Sequence, residues 1–444
     1  MQSMLMNTRR DFLGSAAAAL PAAQSLLAAR PGASRVIGAN DRVNIGIIGC
    51  GTRGGGHCQT LKKMSADNAN IQVVAASEIY TKRKEKAKTL LGLTDKDIHH
   101  DYKELINRPD VDAVVIATPD HWHFRMAMDT LLAGKDVYLE KPMTYKIEEA
   151  KVLAEHVKSS GRVMQIGSQY ATETQTFKAR EVVQQGLLGK ILFCQGTYSR
   201  NTYHGEWNYP IDPEGTPENI DWKRFLGSAP KRPFSADRYF RFRKYWDYSG
   251  GISTDLLYHR LVPFMAILGP QFPLRVSANG GIYVQKDREV PDTMMTTIEY
   301  PDYAVSMVSS MASDAVNTFV HPVIYGHEAV MELRGKEVVV TPEPLFKKKF
   351  KEKTGVDVLH VDATGPEYGR AHLENFFDCM RTRKKPNLDA DFGYKAMVAI
   401  GLGVEAYREQ KQMAFDPASE RIAKAGAKRE TYEGDGKNVD ETKA

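Results

Sequence analysis

Three residues of this chain have the types and spacing for proton and hydride chemistry. Lys141 sits within Glu140-Lys141-Pro142, and Asp255 and His259 stand four positions apart, so on a helix they share one face. A half-desolvated lysine can hold a substrate hydroxyl and exchange a proton with it. A histidine titrating near neutrality suits general acid or base work, and Asp255 could orient it or bond the substrate. Upstream, Gly49-Cys50-Gly51-Thr52-Arg53-Gly54 lies between a strand and a helix, the context a dinucleotide loop requires. Gly49 permits a tight turn, Gly51 lets a pyrophosphate approach the backbone, and the helix start offers free N–H groups.

Glu78 ends the next strand, close to the roughly 20-residue spacing of an acid that bonds ribose hydroxyls and repels a 2′-phosphate. That favours NAD; Lys82 and Arg83 nearby soften the preference and leave NADP possible. Thr118-Pro119-Asp120-His121-Trp122-His123 closes a later strand, on the edge where open α/β sheets bind ligands. There Trp122 could pack beside the adenine or the nicotinamide ribose and His123 could bond to it. Equally, Thr118 or Asp120 could simply cap the following helix. The expected cofactor set is Gly49, Gly51, Thr52, Arg53, Gly54, Glu78, Thr118, Pro119, His121, Trp122, His123, Glu140, Lys141 and Gln169.

These residues need a scaffold. Apolar segments at 43–48, 71–76, 111–117, 136–139 and 162–166 read as buried strands. They alternate with helical patterns at 57–64, 81–91, 123–133 and 148–160, which implies a doubly wound parallel sheet. Beyond about residue 170 the pattern changes. A helix at 177–185 and a strand at 191–198 lead into an irregular aromatic stretch, 199–251. A helix at 252–268 follows, then alternating segments at 275–283, 292–300, 304–313, 321–325, 329–333 and 337–341. Those read as an open, mainly antiparallel sheet, covered by helices at 369–383 and 392–409. The aromatic stretch could wall a sugar site, with Tyr170, Arg200, Asn201, Tyr203, His204, Arg241, Arg243 and Tyr245 as candidate contacts. Its rings could instead pin a long loop to the body or bury an oligomer interface.

Bulk composition narrows the classes. At 444 residues the chain calls for more than one core. Its net charge of +5 is dispersed, with no basic block for nucleic acid. Cys50, Cys58, Cys194 and Cys379 lack metal-ligand spacing and read as small buried side chains rather than a disulfide framework. No histidine cluster adds a metal site. The start, Thr8-Arg9-Arg10-Asp11-Phe12-Leu13 and then an Ala/Leu-rich run, is too weakly apolar for a stable membrane span and resembles a twin-arginine export signal. That places the mature protein in the periplasm or otherwise outside the cytoplasm. The twin-arginine route carries folded proteins, so a cofactor could be loaded before export and would have to be held tightly. The expected organisation is a signal at 1–30, a linker at 31–42, a Rossmann domain at 43–168, a substrate and oligomerisation domain at 169–415 and a polar tail at 416–444.

Taken together, the glycine loop, Thr118-Pro119, Glu140-Lys141-Pro142, Tyr248-Ser249-Gly250-Gly251, the Asp255/His259 pair and Arg383-Lys384-Lys385-Pro386 resemble the Gfo/Idh/MocA family over roughly residues 41–415. The resemblance implies reversible oxidation of a sugar or cyclitol hydroxyl by NAD(P), in homodimers or homotetramers. It also implies catalytic roles for Lys141, Asp255 and His259. Lys141 would polarise the hydroxyl and His259 take its proton. Some exported relatives are family-109 glycosidases that use bound NAD transiently. Those often lack the lysine and carry a Tyr-Pro-Thr-His segment; here Lys141 is kept and Ser253-Thr254-Asp255 stands instead. A dehydrogenase is therefore the first reading, a redox-neutral glycosidase the second, and a catalytically silent sugar-binding relative the third.

Overall fold

The computed structural model describes Gly38 and residues 41–423, so the expected export signal, most of the expected linker and the end of the tail lie outside the described residues. Two sheets organise the rest. The first contains β1 (Val43–Ile48), β2 (Ile71–Ser77), β3 (Ile98–His99), β4 (Ala113–Ile116), β5 (Asp136–Glu140) and β6 (Met164–Gly167). All are parallel, in the order β3-β2-β1-β4-β5-β6. These strands are apolar almost throughout because helices cover both faces. The strand order reverses between β1 and β4, which opens a crevice at their carboxyl ends. The glycine loop after β1 and Thr118-Pro119 after β4 both face it.

The helices are α1 (Thr52–Ala66), α2 (Thr81–Leu91), α3 (Asp120–Leu132), α4 (Ile147–Ser160), α5 (Thr174–Gln184), α6 (Tyr258–Leu268), α7 (Tyr368–Thr382) and α8 (Ala390–Glu409), with shorter turns between. α1 begins at Thr52, earlier than the sequence pattern suggested, so its first turn belongs to the phosphate loop itself.

The second sheet has ten strands in the order β14-β13-β12-β11-β7-β10-β9-β8-β15-β16. They are β7 (Ile191–Thr197), β8 (Arg275–Gly281), β9 (Thr293–Glu299), β10 (Ala304–Ser310), β11 (Val323–Gly326), β12 (Ala329–Arg334), β13 (Glu337–Pro342), β14 (Leu359–Asp362), β15 (Met413–Asp416) and β16 (Arg421–Ala423). Among the described residues only β7 and β10 pair in parallel. β9 alternates buried and exposed positions, the pattern of a sheet with one face packed and one open. The packed face carries α5, α6 and α8. Two expectations are corrected here. The chain does not leave the sheet at residue 415, because Arg421–Ala423 pairs with β15. The helix expected at 252–268 opens instead with a π turn, Ser253–Leu257, and α6 follows it.

The two halves are not packed as separate bodies in sequence order. Leu373, Phe376, Phe377 and Met380 of α7 share one core with Val43, Ile45 and Ile47 of β1. His372 secures the join: its ring nitrogens meet the Ile166 carbonyl at 2.8 Å and Thr172 Oγ1 at 2.7 Å. Arg383 adds a two-pronged bond to Asp136, at 2.8 and 3.0 Å.

Candidate active site

One cavity of about 640 Å³ runs from the glycine loop to the Asp255/His259 segment. At one end stands the phosphate cradle. Gly49 has φ +84°, and a Cβ there would lie 2.7 Å from the Ala117 carbonyl oxygen. A Cβ on Gly54 would lie 1.8 Å from the Gly49 carbonyl oxygen, so Gly54 packs beneath the loop and does not line the cavity. The α1 N-terminus has no side-chain cap and no acid in its first turn, which leaves it open to an anion. Glu78 closes this end. Its buried carboxylate accepts the N–H groups of Cys50 (2.8 Å), Ile79 (2.8 Å) and Tyr80 (3.0 Å), so it braces the loop as well as facing the cavity. Arg83 points at Gly51 and lies 5.2–5.7 Å from the Tyr80, Tyr239 and Phe240 ring centres. Lys82 turns away, to Asp212 and Glu214. These residues fit a dinucleotide.

At the middle, Glu140 accepts from Arg53 Nε at 2.6 Å and meets His57 Nε2 at 2.6 Å. Burial alone would raise its pKa, but Arg53 and the His57 bond outweigh that and hold the carboxyl well below the usual range. Gln169 lies beside Tyr138 Oη at 3.3 Å and also lines the cavity. The next residue is Lys141, and the Lys141–Pro142 bond is cis.

The reactive end is built on Lys141. Its Nζ donates to the Asp255 carbonyl (2.8 Å) and to Asp255 Oδ1 (2.5 Å). Arg243 Nε reaches the same carboxylate at 3.1 Å, and Trp207 Nε1 donates to Oδ2 at 3.1 Å. Burial would favour the neutral acid, but Lys141 and Arg243 outweigh it and keep Asp255 ionised far below the usual range. The π turn is where Asp255 emerges, an irregularity often found at functional sites. His259 lies between Tyr170 (5.6 Å) and Tyr198 (5.1 Å), with its Nδ1 buried and unbonded. Desolvation first, and Lys141 second, push its pKa well below 6.5. This corrects the expectation that it titrates near neutrality: burial and Lys141 outweigh the opposing pull of Asp255 and Glu140 on His259. The acid limb of turnover is accordingly expected well below pH 6.5; a kcat profile falling with a midpoint near that value would contradict this state.

Several expected contacts lie elsewhere. His123 is spent on the Pro142 and Thr118 carbonyl oxygens, at 2.6 and 2.9 Å. His121 contacts the Phe225 carbonyl at 2.8 Å, and burial pushes its pKa down to about 4. Both hold the strand ends together, and neither lines the cavity. Tyr203 is 99% exposed, and Asn201 and His204 are also exposed. Arg241 bonds Tyr209 and Asp237, and Tyr245 bonds Asp237; none of these five lines the cavity. Tyr170 and Arg200 do line it, as do Thr118, Pro119 and Trp122. Tyr198, Tyr209, Phe242 and Tyr368 line it too, although the sequence reading had not named them as contacts. Of the two roles open to the aromatic stretch, packing takes part of it, while Tyr209, Phe225, Tyr239, Phe240 and Phe242 also line the cavity. Phe225, Tyr239 and Tyr248 form a separate core around Tyr80, with Phe240 and Phe242 against it. They draw the stretch over the Glu78 end, because β2 stops there and leaves Tyr80 to be covered.

All four cysteines are free and buried. Among the described residues no cluster of three or more His, Cys, Asp or Glu is placed to hold a metal, and no helix is long and apolar enough to cross a membrane.

Comparison with known proteins fits this geometry. Residues 43–168 match a model described as the oxidoreductase family, NAD-binding Rossmann fold. Residues 172–322 match its companion, the C-terminal alpha/beta domain of the same family. The chain belongs to the Gfo/Idh/MocA oxidoreductase family. Residues 43–168 are thus the family's NAD-binding domain. "Glycosyl hydrolase family 109 protein 2" of Shewanella sp. (strain ANA-3) is 32% identical over 196 residues, 39% of this chain and 42% of that one. "Inositol 2-dehydrogenase/D-chiro-inositol 3-dehydrogenase" of Lactiplantibacillus plantarum is 28% identical over 165 residues, 37% of this chain and 46% of that one. The chain thus spans less than half the length of these curated relatives. A solved levoglucosan dehydrogenase in complex with NADH and levoglucosan shares the fold, with a TM-score of 0.64 at 20% identity over 84% of this chain and 99% of that one.

Histidines whose pKa is lowered by desolvation also make acid stability a readable property of this fold. His121 and His372 are pushed down to about 4 by burial, and His57 and His259 are lowered for the same reason. The unfolded chain takes up these protons near pH 6.5, while the folded chain does so only lower. Stability should therefore fall as pH drops from about 6.5 toward 4, with His121 and His372 each contributing ~1.4 kcal/mol per pH unit and His57 and His259 acting in the same direction. Urea titrations across that window would check it; a flat midpoint would mean the histidines charge inside the fold.

Proposed function

We infer that this protein interconverts a hydroxyl and a carbonyl on a sugar, glycoside or cyclitol, and keeps its nicotinamide cofactor between turnovers. The observation that carries the reading is Lys141 Nζ, pinned to Asp255 in the same cavity as neutral His259 and the phosphate cradle. Lys141 and His259 act on one hydroxyl. The ammonium donates a hydrogen bond to its oxygen and stabilises the developing negative charge, and His259 accepts its proton. NAD, when bound, takes the hydride from the adjacent carbon at nicotinamide C4. The carbon is oxidised by two electrons, and the proton rests on the imidazole. Asp255 keeps the lysine aimed.

Retention of the cofactor is supported by the aromatic stretch. Phe225, Tyr239, Phe240 and Phe242 line the cavity at the end where Glu78 and Arg83 stand, so the ribose site is roofed by the second half of the chain. Mass spectrometry of small molecules released from denatured protein tests this. NAD(H) at one per chain is expected; protein purified empty, with full activity only on added NAD, would overturn retention. Export by the twin-arginine route to the periplasm belongs to the same reading, since a retained cofactor travels with a folded protein. A homodimer or homotetramer is part of it as well. The open face of the second sheet presents Phe193 stacked on Tyr325 at 4.3 Å, with Met295 half exposed. Sedimentation would report the assembly.

A second reading, a redox-neutral glycosidase, is favoured by the family-109 relative at 32% identity. The same Lys141 and His259 could serve both, since each begins by oxidising a hydroxyl. Release of an aglycone without net nicotinamide reduction would decide for the glycosidase.

A further inference from the structure

The reactive end of the cavity holds more positive charge than its own carboxylates answer. Lys141, Arg200 and Arg243 face it from three separate segments. Two carboxylates pair with them: Asp255 with Lys141 and Arg243, and Glu206 with Arg200 Nη1 at 3.2 Å. Of the other acids that line the cavity near this end, Glu140 is paired with Arg53 and His57, Glu367 accepts the Gly369 and Arg370 N–H groups, and Asp120 is buried with its contact at 3.4 Å to the hydroxyl of Thr254. Desolvation raises the pKa of Asp120 and so favours its neutral form. Three cations therefore stand against two paired anions.

The guanidinium forks are also incompletely used. Arg243 gives Nε to Asp255, and neither of its terminal nitrogens makes a protein hydrogen bond among the described residues. Arg200 spends Nη1 on Glu206 and lies 5.4 Å from the Tyr198 ring centre. Each fork carries five donors and suits a planar or tetrahedral oxyanion. The cofactor phosphates do not account for them. The glycine loop has its own cation in Arg83 at the other end, and Arg53 is paired with Glu140 at the middle. Arg200 and Arg243 instead neighbour Asp255, Lys141 and His259.

We propose that the substrate carries an anionic group, a carboxylate or a sulfate or phosphate ester, received by Arg243 and Arg200 while its reacting hydroxyl lies at Lys141 and His259. The inference rests on the carbohydrate reading above. It turns a general sugar site into one selective for acidic sugars. It also gives the surplus charge a physical role, because an oxyanion answers both guanidinium forks at once.

The test is calorimetric titration of the protein as purified. Glucose, galactose and mannose are each compared with their uronate, primary-alcohol sulfate ester and primary-alcohol phosphate ester. Reduced-nicotinamide absorbance is followed in parallel. For at least one parent sugar an acidic form should bind about tenfold or more tightly than the neutral one. The uronate and ester arms report which anion is meant, and the preference should shrink as salt is raised. Arg200→Gln and Arg243→Gln should each reduce the acidic-to-neutral ratio to within about threefold, and Arg243→Lys should restore part of it. The ratio is read within one variant, so partial loss of folded protein does not move it. Neutral sugars binding as well as every acidic partner would overturn the proposal and leave the carbohydrate reading standing. No binding or reduction with any sugar, acidic or neutral, would overturn that reading and this proposal with it.

Discussion

Lys141→Ala should lower the rate of nicotinamide reduction by about 1,000-fold, with the cofactor still bound. The loss is large because the lysine is the cation positioned beside both Asp255 and the neutral imidazole of His259. Without it the hydroxyl oxygen loses the donor that stabilises its developing charge, and His259 meets an alcohol of ordinary acidity. The fold should survive. Asp255 keeps Arg243 at 3.1 Å and Trp207 at 3.1 Å, so its charge is not left alone in the interior. A stability cost of about 1–2 kcal/mol is expected, below the usual cost of orphaning a buried ion. Stopped-flow mixing with a turned-over sugar would measure the rate, and mass spectrometry the bound cofactor. Wild-type turnover would sink the role given to Lys141; loss of cofactor with turnover would mean that it serves the nucleotide instead.

Gly54→Ala should empty the nucleotide site and cost on the order of 3 kcal/mol of stability. The new Cβ would stand 1.8 Å from the Gly49 carbonyl oxygen, which is backbone and cannot rotate aside. Gly49 is itself fixed, with φ +84° and its N–H bonded to the Ser77 carbonyl at 2.9 Å. Either α1 retreats or the turn opens, and both separate the helix N-terminus from the phosphates. Gly55→Ala is the control. Its Cβ, at a half-buried position of the same helix, would meet only the Cys50 carbonyl oxygen at 3.7 Å, an ordinary contact. That change should stabilise by about 0.5–1 kcal/mol. Equal behaviour of the two variants would remove the packing argument for Gly54.

What could be read without coordinates follows from where the chemistry sits. Gly49, Gly51, Thr118 and Lys141 occupy the carboxyl ends of parallel strands, and apolar runs mark such ends in sequence. The alternating segments of the second sheet were equally legible, since one face is packed and one is open. Tyr198 and Tyr209 were not, and Arg243 could not be told from its neighbour Arg241, because the segment carrying most of them follows no period and only Tyr80's need for cover decides its path. His57 meets Glu140 from 83 residues away, and no local pattern announces such a pair. His121 and His123 misled for a different reason. A histidine at a strand end satisfies stray backbone carbonyls as readily as a ligand, and here the carbonyls of Phe225, Pro142 and Thr118 claim them.

The placement of α7 has a consequence for the order of events during synthesis. Phe376, Phe377 and Met380 complete the core that begins with Val43 and Ile45, so an emerging chain that has already made all six parallel strands still lacks part of their covering. That apolar face stays open on the ribosome until nearly the last helices have been translated. A fragment ending at residue 168 would carry the whole glycine loop yet expose the face α7 covers, and should aggregate where the longer chain does not. Assembly of the nucleotide site is therefore a late step, gated by translation of distant sequence.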